Sequence, residues 1–189
     1  MKRLIAITAL ATLLTPGCAQ ARTRLSGAGA TFPSPFYQRV FADYYKESRT
    51  KVNYQATGSG AGVRQFFAGT LDFGASDKAV KDSHLKEGGR QLVQIPVVGG
   101  AIVPVYNKEG CDLKIKQSQL ADVYLGKIDD WEQLGCSAGK ITPVFRSDGS
   151  GTTAGFTNSL SSFSPEWKKK VGTDKAVAWP VGIGNKGNA

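Results

Sequence analysis

The chain has 189 residues, 41% hydrophobic and 21% charged, with 23 glycines, a balance that excludes a disordered, fibrous or multi-span membrane chain. Lys and Arg total 24 against 15 acidic residues, and the resulting net charge of +9 points to an anionic partner: nucleic acid, an anionic membrane surface or a small oxyanion. A single histidine, His84, and three cysteines, Cys18, Cys111 and Cys136, exclude a multi-histidine metal site and a four-cysteine zinc cage, so no metal and no other cofactor is expected.

Residues 1–21 read as a signal peptide. Lys2 and Arg3 precede an apolar run from Leu4 to Leu14 that is too short to span a bilayer, and Pro16-Gly17 breaks it. Ala19-Gln-Ala21 fits a small-residue cleavage site; alternatively, Gly17-Cys18 fits a lipoprotein signal in which Cys18 is lipidated. Either way the protein is exported. In an oxidising compartment Cys111 and Cys136 form an even pair, and a disulfide between them would contribute about 3 kcal/mol through loop entropy. Two separate thiols remain the alternative.

In the mature chain, Thr31-Phe-Pro33-Ser-Pro35 leads into Phe36, Tyr37, Val40, Phe41 and Tyr44, one face of a helix that runs to about Glu47. Residues 51–56 alternate as a strand. Gly58-Ser59-Gly60-Ala61-Gly62 opens a helix over 63–68, and residues 71–76 form a short strand ending at Asp77. The polar stretch 78–90, with His84, reads as loosely helical surface. Residues 91–98 and 101–106 are apolar and β-branched, the pattern of buried strands. A helix over 117–125, an aromatic turn at Trp131 and a strand over 141–145 follow. Arg146-Ser-Asp-Gly-Ser-Gly-Thr152 then turns into a helix reaching about Leu160, and Ser164-Pro165 starts another. Alternation of strand, glycine turn and helix predicts an α/β fold.

Three of the turns share one design. Around Thr31-Phe32, Ser59 and Ser150-Gly151-Thr152, small or hydroxyl residues stand just before a helix, where unpaired N–H groups and a partial positive charge favour an anion. Arg146 adds a planar fork for two oxygens of a tetrahedral oxyanion. The lysine of a P-loop and the glycine spacing of a dinucleotide loop are both missing. Asp77 and Asp148 beside such a site make sense once the ligand carries a proton, because phosphate can donate to a carboxylate and sulfate cannot.

Gly27-Ala-Gly-Ala-Thr-Phe-Pro33, Phe73-Gly-Ala-Ser-Asp77, Arg146-Ser-Asp-Gly-Ser-Gly-Thr152, Val52-Asn-Tyr-Gln55, Tyr124-Leu-Gly-Lys127 and Trp179-Pro180 together resemble the phosphate-binding protein of the bacterial ABC-type phosphate importer. The resemblance implies a type II periplasmic-binding-protein-like fold, with two α/β lobes joined by a hinge. It implies a periplasmic, monomeric protein that binds inorganic phosphate between the lobes and delivers it to the ABC permease, with no covalent chemistry and no role for nucleic acid. By position, the phosphate contacts are Thr31, Phe32, Ser59, Asp77, Arg146, Ser150, Gly151 and Thr152, with Asp148 bracing the arginine and lying close to the ligand. Gly60-Ala61 stands where relatives often have Ser-Gly, one hydroxyl fewer.

Members of that family continue well beyond the turn Gly184-Asn-Lys-Gly187, whereas this chain stops at Ala189. The expectation is therefore a fragment: residues 1–21 signal peptide, 22–102 the N-terminal part of one lobe, and 103–189 part of a second, both incomplete. Three competing functions remain in view: a phosphomonoesterase on a similar scaffold, a binder of another oxyanion such as arsenate, sulfate or molybdate, and generic polyanion or nucleic-acid binding through the basic surface. His84 and Lys168-Lys-Lys170 read as surface, and Trp131, Trp167 and Trp179 as packing residues of the second lobe.

Overall fold

A computed structural model describes residues 23–81 and 91–188. The expected signal peptide with Cys18, and His84 in its polar segment, lie outside the described residues.

The first sheet has three parallel strands in the order β2-β1-β3: β1 Arg24–Gly29 is central, flanked by β2 Lys51–Ala56 and β3 Phe73–Ala75. The central strand carries no strand signal in the sequence, because Arg-Leu-Ser-Gly-Ala-Gly lacks β-branched and aromatic residues. Its small residues serve packing instead. Helix α2, Ser59–Phe67, lies so close to β1 that a Cβ on Gly62 would stand 2.5 Å from Ala28 O and from Gly29 Cα. Helix α1, Ser34–Ser48, makes the other crossover and begins with prolines at its first turn, where a missing N–H does no harm. Tyr37 packs edge-on against Tyr54 at 4.9 Å between centroids, and Phe41 against Phe73 at 6.0 Å. The rest of the apolar stripe on α1, Phe36, Val40 and Tyr44, is exposed.

The second sheet pairs β4 Val144–Arg146 with β5 Ile183–Asn185 in parallel, so that Arg146 stands opposite Asn185. Three helices pack on one another and reach β4 through the ring of Trp179: α3 Gln117–Tyr124, α4 Gly151–Phe163 and α5 Pro165–Lys170. Their core is Ala121, Leu160 and Trp167, all fully buried. The Trp167 indole N–H donates to Gly172 O at 3.0 Å, which satisfies the polar edge of a side chain whose truncation typically costs about 3–5 kcal/mol. Trp179 completes the core, stacked on Phe145 at 4.8 Å. Ser164 caps α5 by accepting the Trp167 N–H. A disulfide joins Cys111 to Cys136, with Cα atoms 5.4 Å apart, and ties the 106–112 loop to the end of a 3₁₀ turn, Trp131–Leu134.

Residues 91–98 and 101–106 correct the sequence reading: they form no strand. Val93, Ile95, Val103 and Val105 are 84, 74, 68 and 91% exposed. The composition suits a buried strand, yet a ladder needs a second backbone, and no described segment lies alongside to pair with this one. Only the Gln94 side chain imitates such a neighbour, its carboxamide accepting the Val80 N–H at 2.8 Å and donating to Val80 O at 3.3 Å. With the exposed side of α1, this segment borders an open apolar groove of about 1440 Å³. Smaller corrections are that α2 starts at Ser59 rather than near residue 63, that residues 78–81 are not helical, and that β5 escaped notice.

Candidate anion site

In a parallel sheet every strand ends beside the start of the following helix, so helix N-termini gather at the carboxyl edge. The nine residues singled out by the sequence all fall there. Thr31 and Phe32 follow β1, Ser59 is the first residue of α2, and Asp77 lies just past β3. From the second sheet, Arg146 ends β4, Ser150 is the N-cap of α4, and Gly151 and Thr152 are its first two residues.

The two edges touch. The Gly60 N–H donates to Gly149 O at 2.8 Å, and the Gly151 N–H donates to Ser59 Oγ at 3.2 Å. Ser59 Oγ also accepts the Asp77 N–H at 3.3 Å and lies 3.4 Å from Asp77 Oδ2, to which its hydroxyl donates. The Thr153 N–H bonds Ser150 Oγ at 3.2 Å. Gly151 is required by this approach, since a Cβ there would lie 2.4 Å from Asp77 Cβ. Ser59, Ser150 and Gly151 are buried.

Arg146 holds Asp148 with two parallel bonds, Nε to Oδ1 at 2.6 Å and Nη2 to Oδ2, and Asp148 Oδ1 also accepts the Gly187 N–H at 3.2 Å. This pair fixes the plane of the guanidinium and leaves Nη1 turned toward the cleft. Phe32 sits beside Thr31 with its ring against Gly100. The bond from Arg146, and secondarily the Gly187 N–H, hold the Asp148 carboxyl below the usual carboxylate range against the opposing effect of burial. Asp77 moves the other way: burial pushes its carboxyl up, and Ser59, Arg146, the Thr152 N–H and Lys175 offset only part of that.

Two residues in the cleft were not foreseen. Lys175 is half-buried and accepts the Ser150 N–H at 2.9 Å through its carbonyl; burial and Lys78 pull its ammonium below the ordinary lysine value, while Asp174 and Asp77 oppose. Asn188 Oδ1 accepts from Thr31 Oγ1 at 2.7 Å and from Arg146 Nη1. No residue pattern marks either position. Lys175 follows a core helix in an irregular stretch, and Asn188 lies three residues beyond a short exposed strand. Among the described residues, no group of three or more His, Cys, Asp or Glu could hold a metal ion, and no helix is long and apolar enough to cross a membrane.

The site therefore presents backbone and hydroxyl donors, one guanidinium and one carboxylate of raised proton affinity, an arrangement that fits an oxyanion able to donate one proton. Known proteins share its framework. A phosphate-binding protein of Haemophilus influenzae is 47% identical over 94% of this chain and 56% of its own length, and one from Methanocaldococcus jannaschii is 40% identical over 85% and 47%. The chain thus spans about half the length of the curated relatives it matches. A crystal structure from Clostridium perfringens, described as a candidate phosphate ABC transporter substrate-binding protein with bound phosphate, superposes with a TM-score of 0.65 at 22% identity, covering 87% of this chain and 63% of that one. An ABC-type phosphate transport receptor from Vibrio cholerae gives 0.55 at 20% identity, covering 85% and 63%. Both show the fold, and the PBP superfamily domain model matches residues 15–185. With its parallel α/β sheets and a cleft at their carboxyl edges, this chain belongs to the PBP superfamily.

Proposed function

We propose that the protein captures inorganic phosphate at this cleft, outside the inner membrane, and delivers it to an ABC importer without covalent chemistry. The observation that carries the reading is the convergence of the N-terminus of α4, the Arg146 fork and Asp77 on one cleft. Donors supply the oxygens of the anion, and Asp77 accepts its proton. The curated relatives, named for phosphate binding rather than hydrolysis, favour a binder over a phosphomonoesterase. In this proposal the two sheets are the centres of two lobes, residues 22–102 and 103–189, that move as a hinged pair around one phosphate. The protein acts as a monomer and reaches the periplasm by loss of residues 1–21 or by lipidation of Cys18.

Calorimetric titration of the chain with phosphate, arsenate and sulfate tests the reading. Phosphate is expected to bind, sulfate to be rejected, and Arg146→Ala to lose most of the phosphate affinity. Unchanged affinity in Arg146→Ala sinks the site assignment, and equal binding of sulfate sinks the ligand assignment.

A further inference from the structure

Tyr54 is a half-buried phenol that the phosphate reading leaves without a task. It stands on β2 opposite Gly27 of β1, its ring edge-on to Tyr37 at 4.9 Å and stacked on Phe73 at 6.1 Å. From that fixed ring the hydroxyl donates to the Ala30 carbonyl at 2.6 Å. Burial, and after it Tyr37 and Asp77, raise the proton affinity of the phenol, so it stays a donor at neutral pH. Ala30 is 1% exposed, and its two polar groups are held differently. Its N–H donates to the backbone, Ala75 O at 3.0 Å, whereas its carbonyl is held by this one side chain.

We infer that Tyr54 is a positioning residue of the anion site: its hydroxyl sets the plane of the Ala30–Thr31 peptide, and with it the direction of the first N–H donors offered to phosphate. A trans peptide is planar, with its C=O and the following N–H pointing in opposite directions. Pinning Ala30 O toward Tyr54 therefore aims the Thr31 N–H away from the aromatic cluster. Thr31 borders the cleft, where its hydroxyl and Arg146 Nη1 meet at the same Asn188 oxygen. Among the described residues, neither the Thr31 nor the Phe32 N–H donates to a protein acceptor, so both can serve a ligand. Removal of the phenol oxygen would leave the Ala30 carbonyl buried without a partner. Rotation of the peptide toward water relieves that cost and swings the Thr31 N–H out of line. Phenylalanine at position 54 would keep the packing and lose the aim.

The inference rests on the phosphate reading, and the experiment separates the two. The full chain, Tyr54→Phe and Ser164→Ala are compared by thermal melting, then by calorimetric titration with inorganic phosphate at a temperature where each is folded. Ser164 caps α5 at the far end of α4 from the cleft and supplies a control of similar stability loss. Both variants are expected to melt about 2–4 °C lower than the original. Tyr54→Phe is expected to bind phosphate about tenfold more weakly, the loss of one well-aimed donor to a charged oxygen, and Ser164→Ala to bind as the original does. In the original chain labelled with ¹⁵N, the Thr31 and Phe32 backbone amide signals are expected to shift on phosphate addition. Affinity of Tyr54→Phe within about twofold of the original overturns the positioning role. An equal loss in Ser164→Ala overturns it too, because affinity then follows stability alone. Thr31 and Phe32 signals that ignore bound phosphate overturn it even if Tyr54→Phe does not fold. Absence of phosphate binding in every form, the original chain included, overturns the phosphate reading and the positioning role with it.

Discussion

Gly151→Ala separates two pictures of the start of α4 by sign. Were this helix end free in solvent, alanine would be the better helix former by up to about 1 kcal/mol, and the substitution would stabilise the protein. In the structure the added methyl would lie 2.4 Å from Asp77 Cβ, 2.7 Å from Asp77 Oδ2 and 2.9 Å from Asp77 Cα. Two carbons in contact prefer about 3.5–4.0 Å, so the β3 end and the α4 start must part by about 1 Å. Asp77 Cα is backbone and cannot swing aside as a flexible side chain does. That displacement stretches the Gly151–Ser59 hydrogen bond, worth about 1 kcal/mol net, on top of an overpacking penalty of about 1–3 kcal/mol. Gly151→Ala is therefore expected to lose about 2–4 kcal/mol in urea unfolding. Phosphate affinity is expected to fall at least tenfold, because the same N–H groups line the site. A variant as stable as the original, or more stable, refutes the close approach of Asp77 to α4 and the cleft geometry built on it.

The two cleft carboxylates have opposite pH signatures. Asp148 is held below its unfolded value of about 3.9, so it contributes stability at neutral pH that is lost as pH falls past that value; Asp148→Asn is expected to cost about 2–3 kcal/mol at pH 7, less than a fully buried pair because both side chains are 12% exposed, and progressively less toward pH 3 in melting curves. Asp77 is raised, so its favourable contribution exists in acid and fades as pH rises through its folded-state value; Asp77→Asn is expected to raise the neutral-pH melting temperature while weakening discrimination against sulfate in competition titrations, and a lowered melting temperature with intact selectivity contradicts both roles. Val93→Lys and Val105→Lys are expected to change stability by less than about 0.5 kcal/mol and to increase solubility, whereas losses above about 3 kcal/mol on unfolding would restore the buried-strand reading of residues 91–106.

Whatever in this fold depends on local chemistry was legible in the sequence. Proline at the head of α1, serine caps on α4 and α5, and the aromatic face of α1 each act within a few residues, and each produced the element expected of it. Strand pairing is not local. The most strand-like stretch, residues 91–106, lacks a partner backbone and stays unpaired, while Arg24–Gly29, with the weakest strand character, becomes the central strand because two neighbours and α2 close around its small residues. The site followed the same division. Hydroxyl and glycine turns at helix starts announce anion chemistry, and the nine residues given by those turns and the family resemblance together fall at the facing carboxyl edges of the two sheets. Asn188 and Lys175 reach that edge through the path of the chain around β5 and α4, and a single amide or lysine in an irregular stretch has no signature to read.

Net charge and recognition part company at this cleft. The chain carries +9 overall, falling to +7 without Lys2 and Arg3. The charged groups gathered around the site nevertheless nearly cancel, with Arg146, Lys175 and the neighbouring Lys78 against Asp77 and Asp148. Charges that nearly cancel offer little net attraction to an anion, and Asp77 repels any oxygen that brings no proton. Selection must then come from hydrogen-bond pattern: an anion with an O–H donates to Asp77, whereas one without sets its acceptor oxygen against that half-buried carboxylate, at a cost of about 1–3 kcal/mol or more. The positive surface acts earlier and more weakly, over about 10 Å at 0.1 M salt, by raising the local concentration of anions of every kind. On the proposed reading, surface charge sets how often phosphate arrives. The proton on the ligand and the carboxyl of Asp77 decide whether it stays.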